Sequence, residues 1–92
     1  MLPSRRVLVV AALEDEFGAE GARRLSELCD IKFTGVGKLR AFEATAAALA
    51  GGDYHAVLNA GTCGSLRHAA GEVLRPSVIV QGDIYIDSIF AT

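Results

Sequence analysis

The chain has 92 residues, and its nine basic and eleven acidic side chains give a net charge of −2, which excludes the basic surface typical of nucleic-acid or acidic-membrane binding. Its two cysteines are too few for a disulfide scaffold or a cysteine-based metal site, and they predict reduced thiols in a cytoplasmic protein. The apolar run after residue 6 lasts about seven residues, whereas a membrane span takes about 20.

The first third of the chain predicts a strand followed by a helix. Residues 7–12 form a continuous aliphatic run, which is typical of a central parallel strand buried on both faces. A helix is expected to begin in the acidic cluster at residues 14–16, where negative charge favours a helix N-terminus, and to run to about residue 28. The residues expected on its inner face are Phe17, Ala22, Leu25 and Leu28.

The middle of the chain repeats this pattern. Residues 31–34 predict a short strand, and Gly35-Val36-Gly37 predicts a tight turn into a second helix at residues 38–50. The apolar residues that recur at helical spacing, and are therefore expected to lie against the sheet, are Leu39, Phe42, Ala46 and Leu49.

The remaining residues predict further strands at 54–60 and 76–80, with residues 83–86 continuing the latter or pairing beside it. The order β-α-β-α-β-β predicts one α/β domain over residues 1–92, with a mainly parallel twisted sheet flanked by helices. The apolar tail at residues 84–91 suggests that this domain is incomplete at its C-terminal end.

Two segments that follow expected strands are candidates for a functional site, and each has a plain structural alternative. Residues 14–16, Glu-Asp-Glu, could activate water at a ligand crevice or could only be the charged start of a helix. Mutual repulsion would raise the pKa of any buried member, and three acids argue against a bound anion here. Residues 34–38, Thr-Gly-Val-Gly-Lys, lack the spacing of a phosphate loop or a Rossmann site, so they indicate either a close approach to a ligand or a tight turn.

A third segment, Gly-Thr-Cys-Gly-Ser at residues 61–65, ends an apolar strand, where backbone N–H groups and hydroxyls could hold a phosphate or a sugar. Cys63 with His55 or His68 as a base would make a thiol hydrolase, but no third orienting residue is evident, and a small packing residue under a ligand is favoured. The two histidines have no companion ligands, so neither a metal nor another cofactor is expected.

Three motifs follow one another along the chain: VVAALEDE at residues 9–16, TGVGK at 34–38 and NAGTCGSL at 59–66. In this order they resemble the purine/uridine phosphorylase superfamily and are most similar to its methylthioadenosine/S-adenosylhomocysteine nucleosidases. The similarity covers nearly the whole chain up to residue 80. It implies the N-terminal part of a nucleoside phosphorylase-like fold, cleavage of the N-glycosidic bond of a purine nucleoside or thionucleoside, and a homodimer or larger homo-oligomer.

The resemblance also implies roles for individual residues. Glu16 falls where the nucleosidases place the carboxylate that orients and activates the attacking water. The implied substrate-binding residues, on the ribose-bordering loop or beside the substrate, are Leu13, Val36, Thr62, Cys63 and Gly64. Because residues 14–16 stand in place of the Gly-Asp-Pro turn that holds phosphate in the phosphorylases, hydrolysis is expected rather than phosphorolysis.

Two departures from the family define the alternatives. The hairpin before the Gly-x-Gly turn is nearly absent. The family's distal half is missing, and with it a Met-Glu pair for the ribose hydroxyls and an aspartate for the leaving base. The 92-residue chain alone is therefore expected to be inactive as a nucleosidase. The alternatives are a non-catalytic nucleoside-binding module of the same fold and a nucleoside phosphorylase.

Overall fold

The computed structural model describes residues 6–82, and these residues form an α/β fold. In chain order they contain strand β1 (Val7–Ala11), a 3-10 turn (Glu14–Glu16), helix α1 (Gly18–Ser26), strand β2 (Asp30–Phe33), helix α2 (Lys38–Gly51) and strand β3 (Ala56–Asn59). The three strands form a parallel sheet in the order β2-β1-β3. The alternation of strands and helices along the sequence thus predicted the fold class correctly.

Strand β1 lies at the centre of the sheet and supplies most of the core. Leu8 and Val9 are 1% and 2% exposed, and Val10 and Ala11 are also buried. Since successive side chains of a strand point to opposite faces, four consecutive buried residues mean that β1 is covered on both faces. The prediction of a central, doubly buried strand is confirmed.

Helix α1 packs on the sheet through fewer residues than expected. Ala22 is buried, and the ring of Phe17 lies against that of Phe33 with the centroids 6.2 Å apart. Leu28, by contrast, is 84% exposed, because α1 ends at Ser26 and Leu28 belongs to the turn that follows. The expected place of Leu28 on the inner face is therefore wrong.

Two glycines make the turn between β2 and α2. Gly35 and Gly37 have φ angles of 83° and 109°, which residues other than glycine adopt only at a cost in conformational energy. The backbone N–H of Gly35 still donates to the carbonyl of Ala12 at 2.9 Å, so the turn begins beside the end of β1. The predicted tight turn is confirmed.

Helix α2 packs through a different face from the one expected. Its half-buried residues are the small ones Ala44, Thr45 and Ala48, whereas Leu39 and Phe42 are 81% and 76% exposed. The helix has apolar residues on two faces, separated by charged residues, so its periodicity fits either face. The small residues allow α2 to lie close to the sheet, and the larger apolar side chains are left outside.

The chain after β3 contains no helix or strand within residues 60–82. The strand expected at residues 76–80 is wrong, since Val78, Ile79 and Val80 are between 69% and 80% exposed. A β-branched run forms a strand only where a neighbouring strand supplies backbone hydrogen bonds and side-chain packing. The segments expected at residues 83–86 and 84–91 lie outside the described residues.

A polar cluster joins the three strands at the amino edge of the sheet. Arg6 precedes β1, Asp30 begins β2, and Tyr54 precedes β3. The Arg6 guanidinium and the Tyr54 hydroxyl both donate to Oδ2 of Asp30, the hydroxyl at 2.7 Å. The guanidinium also lies 5.0 Å from the centre of the Tyr54 ring. These hydrogen bonds, that of Tyr54 first, lower the pKa of Asp30.

We expect this cluster to make the free energy of unfolding fall in acid. A carboxyl group whose pKa is lower in the folded chain stabilises the fold above its unfolded pKa, and this stabilisation is lost as the pH falls through the folded pKa. Asp30→Asn should therefore flatten the acid limb of stability, measured by urea unfolding across pH. Asp15→Asn, at an exposed position, is the control. An acid limb unchanged by Asp30→Asn would contradict this role.

Candidate functional site

The loops that follow β1 and β3 meet at the carboxyl edge of the sheet, and the side chain of Glu16 joins them. Its Oε1 accepts hydrogen bonds from the backbone N–H and from the hydroxyl of Thr62, both at 3.2 Å. Its Oε2 accepts hydrogen bonds from the backbone N–H groups of Ala12 and Leu13 at 3.2 and 3.3 Å. In open α/β sheets this edge is where ligands bind.

The 3-10 turn explains why Glu16, and not its two acidic neighbours, reaches this edge. The backbone N–H of Glu16 donates to the carbonyl of Leu13 at 3.1 Å, and that of Phe17 donates to Glu14 at 3.0 Å. This tight winding turns the Glu16 side chain back toward the end of β1. Glu14 and Asp15 are exposed on the outside of the turn.

Hydrogen bonds stabilise the ionised form of Glu16. The backbone N–H of Thr62, followed by that of Leu13, lowers the pKa of the Glu16 carboxyl below its usual value. Partial burial acts in the opposite direction and is outweighed. The rise in pKa expected for a buried member of the acidic cluster does not occur at Glu16, which is half-buried and has donors on both oxygens.

The arrangement restricts how Glu16 can bind water. An ionised carboxylate offers about four acceptor positions, and all of them are used by the hydrogen bonds to Ala12, Leu13 and Thr62. A water molecule must therefore replace one present donor. The Thr62 hydroxyl is the donor that can leave by rotation of a side chain, without movement of the backbone.

The other residues implied as substrate-binding are exposed at the same edge. Leu13 contacts Glu16 through its backbone, and its side chain is 47% exposed. Cys63 and Gly64 follow Thr62 in the β3 loop and are exposed. Val36, 66% exposed, lies on the turn after β2. The structure thus brings Leu13 and Thr62 directly to Glu16.

Hydrogen bonds within the loop after β3 argue against a thiol hydrolase. The Ser65 hydroxyl accepts hydrogen bonds from the backbone N–H groups of Arg67 and His68 at 3.2 and 3.1 Å, so it stabilises a local turn. Nδ1 of His68 lies 3.1 Å from a carboxylate oxygen of Glu72. Within residues 6–82, Cys63 has an exposed thiol that hydrogen-bonds to neither histidine.

A cleft lies at the carboxyl edge of the sheet, next to the turn that the sequence marked as a possible close approach to a ligand. Its volume is about 320 Å³, and it lies between β1, the β2–α2 turn and α2. Thr34, Lys38 and Asn59 contribute polar groups to its lining, and Ala12, which donates to Glu16, lies on its wall. Asn59 could have been found from the sequence, because a polar residue ends an otherwise apolar strand at the ligand edge.

Three further findings bear on function. Within residues 6–82, no cluster of three or more His, Cys, Asp or Glu side chains could bind a metal ion. In the same part of the chain, the helices are too short or too polar to cross a membrane. Comparisons of the chain with protein-family models, with curated proteins and with solved structures gave no match.

Proposed function

We propose that this chain is the N-terminal part of a nucleoside phosphorylase-like fold and serves in a cytoplasmic nucleosidase. The proposed reaction is hydrolysis of the N-glycosidic bond of a purine nucleoside or thionucleoside, such as methylthioadenosine. The observation that carries the proposal is the Glu16 carboxylate, which is held by Thr62 and by the end of β1 at the ligand edge of a parallel sheet. The motif resemblance supplies the reaction class.

In the proposed reaction Glu16 orients the attacking water. The water takes the place of the Thr62 hydroxyl on Oε1, and its oxygen is directed at the anomeric carbon of the ribosyl group. Because its hydrogen bonds lower the pKa of Glu16, the carboxylate orients water more effectively than it accepts a proton in this state. As the water oxygen bonds to the anomeric carbon, Glu16 accepts the proton that the water loses.

The reaction also needs groups that we do not assign within residues 6–82. As water attacks, the bond to the base breaks and its electron pair passes to the base, which must be protonated. The family provides an acid for this step and a grip on the ribose hydroxyls in its distal half.

Charge and hydrogen bonding at the carboxyl edge favour water over phosphate as the nucleophile. The N–H groups of Ala12, Leu13 and Thr62 that could bind an anion already bind the Glu16 carboxylate. Glu14 and Asp15 lie on the same turn and add negative charge. To bind these N–H groups, a phosphate ion would have to displace the Glu16 carboxylate while the carboxylates of Glu14 and Asp15 remain nearby.

We expect base release to be independent of phosphate. The experiment uses a protein that contains this chain together with the leaving-group acid, and it measures release of free base from methylthioadenosine and from adenosine with and without inorganic phosphate. Equal rates in the two conditions, with free sugar as the product, support hydrolysis. A strict requirement for phosphate, with a sugar phosphate as the product, would identify a phosphorylase instead.

A non-catalytic nucleoside-binding module is the second candidate. The exposure of Val36, Cys63 and Gly64 favours it, because these residues border an open edge and not an enclosed site. Calorimetric binding of a nucleoside to such a protein, without any base release, would select this function.

A further inference from the structure

Two glycines in the loop after β3 have different surroundings. A Cβ atom at Gly61 would lie 3.0 Å from Oε1 and 3.2 Å from Oε2 of Glu16, whereas a Cβ atom at Gly64 would have no neighbour within 4 Å. Neither glycine has a positive φ angle, so the backbone at both positions accepts alanine. A side chain at position 61 would therefore press against the Glu16 carboxylate, whereas the conformation of the loop does not oppose it.

The contact follows from the pairing of β1 with β3. Val10 lies opposite Asn59 in the parallel register, and the N–H of Ala60 donates to the carbonyl of Val10 at 3.0 Å. This pairing places the next residue, Gly61, beside the chain that leaves β1. The Glu16 carboxylate then passes over Gly61 to reach the N–H and the hydroxyl of Thr62.

We propose that Gly61 is a positioning residue for Glu16: the missing side chain at Gly61 lets the carboxylate reach Thr62, and any side chain there moves the carboxylate away. The group that would yield is the end of a flexible side chain, so the Glu16 carboxylate moves by a few tenths of an ångström while the sheet stays in place. The catalytic meaning of this contact rests on the proposed function, but the contact itself does not.

The first test is the titration of Glu16 in the 92-residue chain, followed by NMR of its side-chain carboxyl carbon. In Gly61→Ala the hydrogen bonds to Thr62 lengthen, so the pKa of Glu16 should rise toward its usual value. Gly64→Ala adds the same methyl group three residues later in the same loop and should leave the pKa of Glu16 unchanged. An unchanged Glu16 pKa in Gly61→Ala would overturn the proposal.

The second test is a double-mutant cycle on stability, which remains decisive if Gly61→Ala folds poorly. Gly61→Ala should change the free energy of unfolding less favourably in the parent chain than in a Glu16→Ala background, where the new methyl group has no carboxylate to displace. The same change in both backgrounds would mean that the methyl group does not act through Glu16, and the positioning role would be wrong.

Activity separates this inference from the proposed function. In a protein that contains the chain together with the leaving-group acid, Gly61→Ala should lower kcat with little change in KM, by less than the roughly 100-fold that a misplacement of 1 Å causes. If the parent protein releases no base while Gly61→Ala still raises the pKa of Glu16, the proposed function fails and the positioning role stands. If the parent protein releases base while Gly61→Ala leaves the pKa of Glu16 unchanged, the proposed function stands and the positioning role of Gly61 is wrong.

Discussion

In the proposed nucleosidase, a protein that contains this chain together with the leaving-group acid, Glu16→Gln should lower kcat for base release by about 10²–10⁴-fold, the usual contribution of a positioned acid–base group. The variant keeps the size of the side chain but replaces one acceptor oxygen with an NH2 group. An NH2 group donates hydrogen bonds and accepts none. It would therefore face a backbone N–H donor, either that of Thr62 or those of Ala12 and Leu13, without forming a hydrogen bond. The variant therefore loses the negative charge at position 16 and no longer orients the bound water.

The measurement is kcat for base release, in parallel with urea unfolding to show that stability changes far less than the rate. Glu14→Gln is the matched control, because Glu14 is exposed on the same 3-10 turn and carries the same charge. Cys63→Ala should also be mild. Equal losses in Glu16→Gln and Glu14→Gln would show that the role belongs to the acidic cluster as a whole, and loss of activity in Cys63→Ala would favour a thiol hydrolase.

Sequence patterns predicted the elements whose burial is decided locally. Residues 7–11 are aliphatic without interruption, and such a run is typical of a strand covered on both faces. Gly35 and Gly37 likewise bound a turn whose φ angles favour glycine. In both cases the residues of the segment themselves favour the structure that is observed.

Sequence patterns gave wrong predictions for segments whose structure depends on residues far away in the chain. Helix α2 has apolar residues on two faces, and the sheet packs against the smaller ones, Ala44, Thr45 and Ala48. Residues 78–80 have high strand propensity, but no described strand lies beside them. Neither result could be obtained without knowing what each segment packs against.

The candidate site was predicted as a set of residues but not as a set of contacts. The motif resemblance, and not the acidic pattern, selected Glu16 from the three neighbouring acids. Its contacts with Thr62 and Gly61 join positions about 45 residues apart and depend on the register of β1 with β3. A one-residue change in that register would move the Thr62 hydroxyl away from Glu16, so spacing along the sequence carries no signal for this contact.

The described part of the chain leaves two apolar surfaces uncovered, and both favour association. All four residues of β3 are exposed although the strand pairs with β1, and Val57 and Leu58 are 45% and 56% exposed. On α2, the outer stripe is formed by Leu39, Phe42, Ala46 and Leu49. A helix with two apolar faces is typically buried on both of them. We therefore expect the chain to form a dimer or a larger assembly at micromolar concentration.

Phe42→Lys should weaken that association strongly if the α2 stripe forms the interface. Burying a phenylalanine side chain contributes about 1.5–3 kcal/mol, and a symmetric dimer buries two, so the dissociation constant should rise by about 10²–10⁴-fold. Ala47→Lys adds the same charge to an exposed position of α2 off the stripe and is the control. Sedimentation equilibrium of the three proteins decides the matter. A monodisperse, cooperatively folding parent monomer would refute the expected association, and equal weakening by both lysines would show that charge, and not loss of the Phe42 contact, drives the effect.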